Sequence, residues 1–193
     1  MIMMRDFFKL SILTAFALSP CLGWAADERP KPIDQITLLG LTVTDSDLDS
    51  VRKQLWDIGG FKQADSTKRQ RNLDKFFTWS RMRDSYYVEF RYDNAGKTTS
   101  AYRLFRPQSI EFDNRLTPIS TKAVARTIVE QIGQPTRIIR KGWGGSPDYT
   151  AYIWQNDQMK VEVDREGSER YGNVFIRYTV MNRDPYFVAE KGK

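Results

Sequence analysis

The sequence predicts an α+β protein built from two tandem repeats, each a helix packed on an antiparallel meander of about four strands. Three observations predict this class. An apolar stripe at helical spacing occurs twice, segments rich in aromatic and β-branched residues follow each stripe, and the two sets superpose after a shift of about 74 residues. The chain has 193 residues, of which 40% are hydrophobic, so it can bury a sizeable core.

The N-terminal residues 1–25 are predicted to be a signal peptide, followed by a flexible lead over 26–33. Arg5 and Lys9 give a weakly positive start, an apolar run covers 10–18, and small residues precede a cleavage point after Ala25. That run is about half of the roughly 20 residues that a membrane-spanning helix needs. We therefore expect export to the periplasm or the medium, and no transmembrane segment in the mature chain.

The composition restricts the chemistry, because the chain has no histidine and one cysteine, Cys21. The surroundings of Cys21 resemble a bacterial lipoprotein processing site only loosely, since Pro20 fits it poorly, and lipidation is not expected. Cleavage after Ala25 would leave a chain that can form no disulfide. Imidazole is the commonest general base and zinc ligand, so histidine-dependent hydrolases and zinc enzymes are excluded. No metal site and no cofactor are expected.

The first repeat is assigned to residues 34–107 and begins with a strand-like segment, 36–43. Asp45 or Ser46 can cap the helix that follows. Its apolar stripe ends at Gly59-Gly60 and consists of Leu48, Val51, Leu55 and Ile58. The segments predicted to form the meander are 62–67, 75–81, 85–93 and 97–106.

The second repeat is assigned to residues 108–182, before a C-terminal tail over 183–193. A strand-like segment, 110–116, precedes a helix capped by Ser120 or Thr121. The stripe ends at Gly133 and consists of Ala125, Ile128, Val129 and Ile132. The predicted strands are 136–141, 149–155, 158–165 and 173–181. Trp79 and Trp154 occupy related strand positions in the two repeats, which favours core packing for both.

One hairpin fixes the two faces of the first meander. Gly96 suits the left-handed position of a three-residue loop, and this loop pairs Val88 with Tyr102. One face then carries Tyr86, Val88, Phe90, Tyr102 and Leu104, and faces the helix. The other face points outward and carries Tyr87, Glu89, Arg91, Arg103 and Phe105. Its predicted counterparts in the second repeat are Lys160, Glu162, Asp164, Phe175 and Arg177.

The tandem layout, with its two cap-helix-glycine entries over 44–59 and 120–133 and a later aromatic strand in each half, resembles a known superfamily. It is similar to the fold shared by β-lactamase inhibitor proteins and the small outer-membrane assembly lipoproteins. The resemblance implies protein binding through an open sheet face and its loops, without catalysis. The inhibitors carry disulfides that this mature chain cannot form, and the lipoproteins have a lipidated cysteine and one unit only. No contact residue can be carried over.

The first repeat is markedly basic. Between 61 and 106 there are eleven Lys and Arg against five Asp and Glu, whereas 135–181 has seven against six. The basic side chains that could contact an anionic lipid headgroup, a polysaccharide or an acidic protein are Lys68, Arg69, Arg71, Lys75, Arg81 and Arg83. A solvated loop explains the same residues, and nucleic acid is the least favoured partner because the chain is expected to be exported.

Two further features could carry chemistry. Glu89 and Glu162 could form the carboxylate pair of a glycosidase, but outward strand positions in two repeats explain them more simply. Trp143 lies in a glycine-rich loop, 142–147, that lacks the Lys-Ser/Thr and helix of a phosphate-binding loop. A tryptophan there can anchor an interface or fold over the sheet edge.

The sequence thus favours an exported, non-enzymatic module that binds another envelope or secreted protein, of inhibitor, immunity or assembly-accessory type. The expected partner-binding residues are Tyr87, Arg91, Arg103, Phe105 and Trp143. A binder of anionic envelope components through the basic first repeat is the alternative. A glycosidase that uses carboxylates alone is the third hypothesis.

Overall fold

The computed structural model describes residues 30–65, 72–109, 117–143, 146–166 and 173–183. Within them, two helices pack on one face of an eight-stranded antiparallel sheet, which confirms the mixed α+β class. The signal-peptide prediction for 1–25 and the strand prediction for 110–116 lie outside the described residues.

Helix α1 covers Leu48–Ile58, and helix α2 covers Thr121–Ile132. The predicted cap of α2 is confirmed, because the side chain of Ser120 accepts a hydrogen bond from the backbone N of Ala123. Both helices end at the predicted glycines, Gly59 and Gly133, whose φ angles are 65° and 80°.

The cap of α1 differs from the prediction. Asp47, rather than Asp45 or Ser46, caps the helix, because its carboxylate accepts from the backbone N of Ser50 at 3.0 Å while the Ser50 hydroxyl accepts from the backbone N of Asp47 at 2.8 Å. The Ser46 hydroxyl is used elsewhere and donates to the Val43 carbonyl.

The large sheet consists of two four-stranded meanders that meet at its centre. The strands are β3 (Phe61–Gln63), β4 (Leu73–Thr78), β5 (Ser85–Tyr92), β6 (Thr98–Phe105), β9 (Arg137–Trp143), β10 (Ser146–Gln155), β11 (Met159–Glu166) and β12 (Asn173–Val180). Their spatial order is β3-β4-β5-β6-β12-β11-β10-β9. Strand β6 therefore pairs with β12, which lies about 75 residues further along the chain.

Four short strands form two separate hairpins: β1 (Thr37–Leu38) with β2 (Leu41–Thr42), and β7 (Gln108–Ser109) with β8 (Thr117–Pro118). The continuous strand expected over 36–43 is therefore wrong. Leu39 and Gly40 both have positive φ angles, 54° and 81°, which turn the chain back on itself after β1. Ile36, Leu38 and Val43 still reach the core.

The register of the β5–β6 hairpin differs from the predicted one. Tyr92 faces Thr98 beside the turn, but Arg91 faces Ser100, so Thr99 is an extra residue on β6. Beyond this β-bulge Val88 faces Arg103 rather than Tyr102. A one-residue shift turns every later side chain of β6 to the opposite face of the sheet.

The core lies between the helices and one face of the sheet. Val51 and Leu55 of α1 and Ile128 and Ile132 of α2 belong to one buried cluster together with Val88. The sheet residues that complete it include Phe76, Phe90, Ala101, Phe105, Trp154, Val161, Val163, Ile176 and Tyr178. One core therefore serves both meanders.

Trp154 and Trp79 have different environments. Trp154 is fully buried, and its indole N–H donates to the Gly133 carbonyl at 2.8 Å, so core packing is confirmed for this residue. Trp79 is 80% exposed, and the same prediction is wrong for it. Its position explains the difference, since it follows the last residue of β4, Thr78, and begins the turn to β5.

A polar cluster joins α1 to the sheet around the buried carboxylate of Asp74. Arg52 donates to both Asp74 oxygens at 2.8 Å, Gln63 donates at 2.6 Å and the Tyr92 hydroxyl at 3.2 Å. These bonds satisfy a carboxylate that has no solvent exposure.

Both ends of the described chain pack on the domain. The backbone N of Lys31, in the segment expected to be a flexible lead, donates to the Gln131 carbonyl at 2.9 Å. Arg183, the first residue of the expected tail, donates to the carbonyls of Thr98 and Thr44 at 2.7 and 2.6 Å. The folded unit thus extends slightly beyond the predicted boundaries.

Candidate functional site

The sheet face opposite the helices is the candidate site, and we call it the open face. Strand register places on it, from β4 to β12, the side chains of Lys75, Phe77, Tyr87, Glu89, Arg91, Ser100, Tyr102, Leu104, Phe175 and Arg177. Further across, β11 adds Lys160, Glu162, Asp164 and Glu166. Of the described helices, α1 and α2 both pack on the other face.

Four aromatic rings form a continuous row across four neighbouring strands. Phe77 on β4 contacts Tyr87 on β5 edge to face, with ring centroids 6.2 Å apart. Tyr87 lies 6.1 Å from Tyr102 on β6, and Tyr102 stacks on Phe175 of β12 at 5.2 Å. We call these four rings the aromatic row. It crosses the central junction of the sheet and uses strands of both meanders.

Cations lie against the aromatic row on both sides of the junction. The Nζ of Lys75 is 3.6 Å from the ring centroid of Tyr87, and the Cζ of Arg177 is 5.1 Å from that of Phe175 and 5.6 Å from that of Tyr102. Each contact combines cation–π attraction with a charge that remains available to a partner. Phe77 is exposed, Tyr87 and Tyr102 are half-buried and Phe175 is buried, so the row is a partly covered strip of rings bordered by positive charge.

Carboxylates pair with cations along the same face. Glu89 pairs with Arg91 at 2.8 Å and Glu162 with Lys160 at 3.2 Å. Asp164 pairs with Lys141. These pairs place both signs of charge beside the rings, which suits contact with a polar protein surface.

Tyr102 is the best connected member of the row. Its hydroxyl donates to Glu166 at 2.7 Å. Burial, and next the hydrogen bond to Glu166, raise the pKa of Tyr102 well above its usual range. Burial also raises the pKa of Tyr87. Both hydroxyls are therefore protonated donors at neutral pH.

An open depression lies beside Tyr87 and Tyr102, with a volume of about 410 Å³. The residues that line it are Tyr87, Glu89, Arg91, Ser100, Tyr102, Glu166 and Arg177. Its lining is mostly charged or hydroxyl-bearing, unlike the largely apolar pockets that enclose small ligands. The depression can accept a protruding polar or aromatic side chain.

The structure places two of the predicted partner-binding residues, Tyr87 and Arg91, on the open face. Arg103 and Phe105 were expected there too, but the bulge at Thr99 turns them to the helix side. Phe105 is buried in the core. Arg103 pairs with Asp84 at 2.9 Å, donates to the Ser85 hydroxyl at 2.9 Å and lies 4.4 Å from the Phe105 ring.

The same bulge brings in a residue that was assigned to the core. Tyr102 was expected to face the helix stripe, together with Leu104 and Tyr86, and it lies at the centre of the aromatic row instead. Leu104 also turns to the open face, where it pairs with Tyr87 and Phe175. Tyr86 occupies a second irregularity of β5 and is 37% exposed.

The predictions for the second meander are confirmed by its register. Lys160, Glu162, Asp164, Phe175 and Arg177 lie on one face through direct pairing between β11 and β12. Phe175 and Arg177 were not chosen as binding residues from the sequence. The sequence pattern that could have identified them is the alternation of aromatic and basic outward side chains in β12. This pattern points to a binding site only when β12 is known to lie beside β6.

The remaining predicted binding residues are dispersed over the structure or lie outside the described residues. Trp143 ends β9, and its side chain is not among the described parts. Of the basic set, Lys68, Arg69 and Arg71 lie outside the described residues. Lys75 belongs to the open face, whereas Arg81 and Arg83 are exposed in the β4–β5 turn.

Glu89 and Glu162 lie on the same face but far apart. In register, Glu89 faces Tyr102, Tyr102 faces Arg177, and Arg177 faces Glu162. Three strand spacings separate the two backbones, roughly 14 Å. Glycosidase carboxylates lie within about 10 Å of each other, so this geometry does not favour the pair.

Two kinds of feature are absent from the described residues. They contain no helix that is both long enough and apolar enough to cross a bilayer. They also contain no group of three or more His, Cys, Asp or Glu side chains that could hold a metal ion.

Comparison with known proteins gives a distant structural likeness. No protein-family model matches the chain, and no curated protein matches it. Among solved structures, a DUF4309 family protein (YjgB) from Bacillus subtilis matches with a TM-score of 0.38 and 10% identity, over 76% of this chain and 88% of that one. A likeness at this level assigns neither a family nor an activity.

Proposed function

We propose that this chain is an exported, non-enzymatic protein-binding module of the bacterial envelope, of inhibitor, immunity or assembly-accessory type. Its binding surface is the open face of the sheet, centred on the aromatic row. The observation that carries the proposal is the row itself, in which Phe77, Tyr87, Tyr102 and Phe175 form successive contacts between Lys75 and Arg177.

The chemistry of the row favours a protein partner. Tyrosine and arginine are enriched where binding energy concentrates in protein interfaces, and lysine at the rim adds charge complementarity. The row's rings are fixed by their neighbours, so little side-chain entropy is lost when a partner covers them. The described depression is open and polar, which favours a side chain of a partner over an enclosed small molecule.

We further propose that the two meanders are tandem repeats. Support comes from the order of elements, since α1 precedes β3–β6 and α2 precedes β9–β12, each in meander order. The aromatic row then spans the repeat junction, with Phe77, Tyr87 and Tyr102 from the first repeat and Phe175 from the second. On this proposal one target contacts both repeats.

A binding measurement with matched variants tests the proposal. The tagged protein is used to capture proteins from envelope extract, and the captured protein is purified and titrated against defined variants. The double variant Tyr87→Ala/Tyr102→Ala removes two central rings and should weaken binding at least about 100-fold, since a hot-spot side chain contributes about 2 kcal/mol or more.

Two controls separate the site from general damage. Ile138→Ala shortens a side chain that is 59% exposed on the distant edge strand β9, and it should leave affinity unchanged. Tyr102→Phe keeps the stacked ring while removing the hydrogen bond to Glu166, and it should keep most of the affinity. Wild-type affinity in a folded double variant would refute the site assignment.

A further inference from the structure

The end of the domain where α1 stops and β4 turns into β5 carries the two most exposed tryptophans of the described residues. Trp56 lies in the last turn of α1 and is 85% exposed, and Trp79 begins the β4–β5 turn and is 80% exposed. Tryptophan is rarely left so exposed in a soluble domain, because its side chain carries a large apolar area. These residues therefore suggest a contact that the aromatic row does not explain.

Backbone hydrogen bonds fix the two tryptophans at the same end of the domain. The N of Gly59 donates to the Trp56 carbonyl at 3.1 Å, and the N of Trp79 donates to the Gly60 carbonyl at 2.7 Å. Arg81 adds a third tie, since its Nε donates to the Ile58 carbonyl at 2.8 Å. The helix end and the turn thus form one unit, which we call the tryptophan corner (residues 56–60 and 79–83).

Glycine at position 60 permits this close approach. Its φ angle is 75°, and a Cβ atom there would lie 2.5 Å from the Cγ of Arg81 and 2.9 Å from the Oγ of Ser80. Only glycine tolerates both the backbone conformation and the contact without strain. Gly60 therefore holds the backbone of the helix end against that of the turn, so the two tryptophans belong to one unit rather than to independent loops.

The tryptophan corner is positively charged. Its turn, 79–83, has two basic residues, Arg81 and Arg83, and no Asp or Glu. The carboxylate within the corner, Asp57, is paired with Lys53, and Asp84, which follows Arg83, is paired with Arg103. Exposed Arg81 and Arg83 therefore present their charge beside Trp79, and the two neighbouring carboxylates are already paired with other cations.

We propose that the tryptophan corner docks this protein on the surface of an anionic lipid bilayer. Indole rings favour the boundary between headgroups and acyl chains. There the ring lies in partly apolar surroundings while its N–H stays hydrated. Arginines beside them meet the negative headgroups, and their long side chains reach the phosphate level. Apolar area and basic charge together determine such interfacial binding.

The corner and the row can act at the same time. Trp79 lies two residues beyond Phe77, which forms one end of the aromatic row, whereas Tyr102 and Phe175 lie further across the sheet on β6 and β12. Docking on a bilayer through the corner would therefore leave the Tyr102–Phe175 part of the row accessible. The docking surface goes beyond the proposed function, and either can fail without the other.

Vesicle co-sedimentation tests the docking. The protein is isolated from the host that makes it, its N terminus is established by mass spectrometry, and it is mixed with vesicles of phosphatidylcholine alone or with 30% phosphatidylglycerol. Binding should be strong only with the anionic vesicles and should fall with added salt. The variant Trp56→Ser/Trp79→Ser should bind at least about 30-fold more weakly, because it removes most of the apolar area of the corner.

The control variants are made in the same chain, so any vesicle binding by its N-terminal segment is the same in all of them. Ile138→Ser removes an exposed apolar side chain from the opposite sheet edge and should bind vesicles like the wild type. Arg83→Gln should weaken binding about fivefold, and Arg126→Gln, on exposed α2 surface, should not.

Several results would overturn the docking proposal. One is unchanged vesicle binding by a folded Trp56→Ser/Trp79→Ser variant. Another is a loss of vesicle binding in Ile138→Ser that equals the loss in the tryptophan variant. Equal binding to neutral and anionic vesicles would remove the charge argument. Sedimentation as a dimer that this tryptophan variant abolishes would assign the corner to self-association instead.

Discussion

Replacing Asp74 by leucine tests how α1 is held to the sheet. The change removes the acceptor of four hydrogen bonds, two from Arg52 and one each from Gln63 and Tyr92. Breaking a buried ion pair on one side costs about 3–5 kcal/mol. The Arg52 side chain is 37% exposed, so its guanidinium can be hydrated again after the change. The cost should therefore lie toward the lower end of this range. The buried Tyr92 hydroxyl loses its partner and adds to the cost.

We therefore expect Asp74→Leu to lower the free energy of unfolding by about 3–5 kcal/mol and the melting temperature by roughly 6–20 °C. Urea unfolding followed by circular dichroism gives the free energy, and calorimetry gives the temperature. Asp57→Ala provides the control, because its pair with Lys53 is largely exposed and contributes only about 0.5 kcal/mol.

The double variant Arg52→Met/Asp74→Leu separates the ion pair from packing. Removing both partners leaves no unpaired charge, so the double variant should be more stable than Asp74→Leu by about 2 kcal/mol. Two results would refute this account: a cost below about 1 kcal/mol for Asp74→Leu, or a double variant whose cost equals the sum of the single ones.

Three further predictions concern capping, the core and ionisation. Asp47→Ala should lower the free energy of unfolding by about 1 kcal/mol at pH 7, because the helix cap is lost. The hydrogen bonds from Ser50 and Lys97 lower the pKa of Asp47 from 3.8 to about 2. The stabilisation by the Asp47 carboxylate is therefore present above pH 4, and urea unfolding should show that it is lost as the pH falls toward 2. Trp154→Phe should cost about 2–3 kcal/mol in the same assay, because it removes the bond to the Gly133 carbonyl and leaves a cavity; a cost below 1 kcal/mol would contradict the core assignment. Burial raises the pKa of Tyr178 to about 12 from 10.0, so stability should decline as pH rises above 10, and Tyr178→Phe should decline less steeply.

Local features of the fold could be predicted from the sequence because short-range physics determines them. The stripe of Ala125, Ile128 and Ile132 predicts a helix, and Ser120 and Gly133 bound it. Strand alternation likewise predicts the outward side chains of β11 and β12. Each of these patterns depends only on residues within a few positions of one another.

The cap of α1 and the environment of Trp79 show where local pattern becomes ambiguous. Asp45, Ser46 and Asp47 are all good caps, and the choice depends on Ser50 completing the reciprocal pair. Trp79 continues an aromatic segment, but the strand ends one residue earlier. Its exposure follows from that boundary, which hydrophobicity alone does not define.

The candidate site was only half predicted, because it depends on one extra residue and one distant pairing. Thr98, Thr99 and Ser100 are equally suited to a strand, and nothing in their side chains identifies Thr99 as the bulge. The contact between Tyr102 and Phe175 requires β6 to pair with β12, which no short-range pattern specifies. Sequence reasoning therefore found Tyr87 and Arg91 but placed Arg103 where Tyr102 belongs.

The central pairing of β6 with β12 also affects how the chain acquires its structure during synthesis. Five residue pairs, from Phe175 with Leu104 to Thr179 with Ser100, join the two halves of the sheet. Until the segment around residue 180 has left the ribosome, β6 has a free edge whose N–H and C=O groups can pair with another nascent chain. The first half of the chain is therefore prone to aggregation until β12, the last strand of the described residues, is made and pairs with β6.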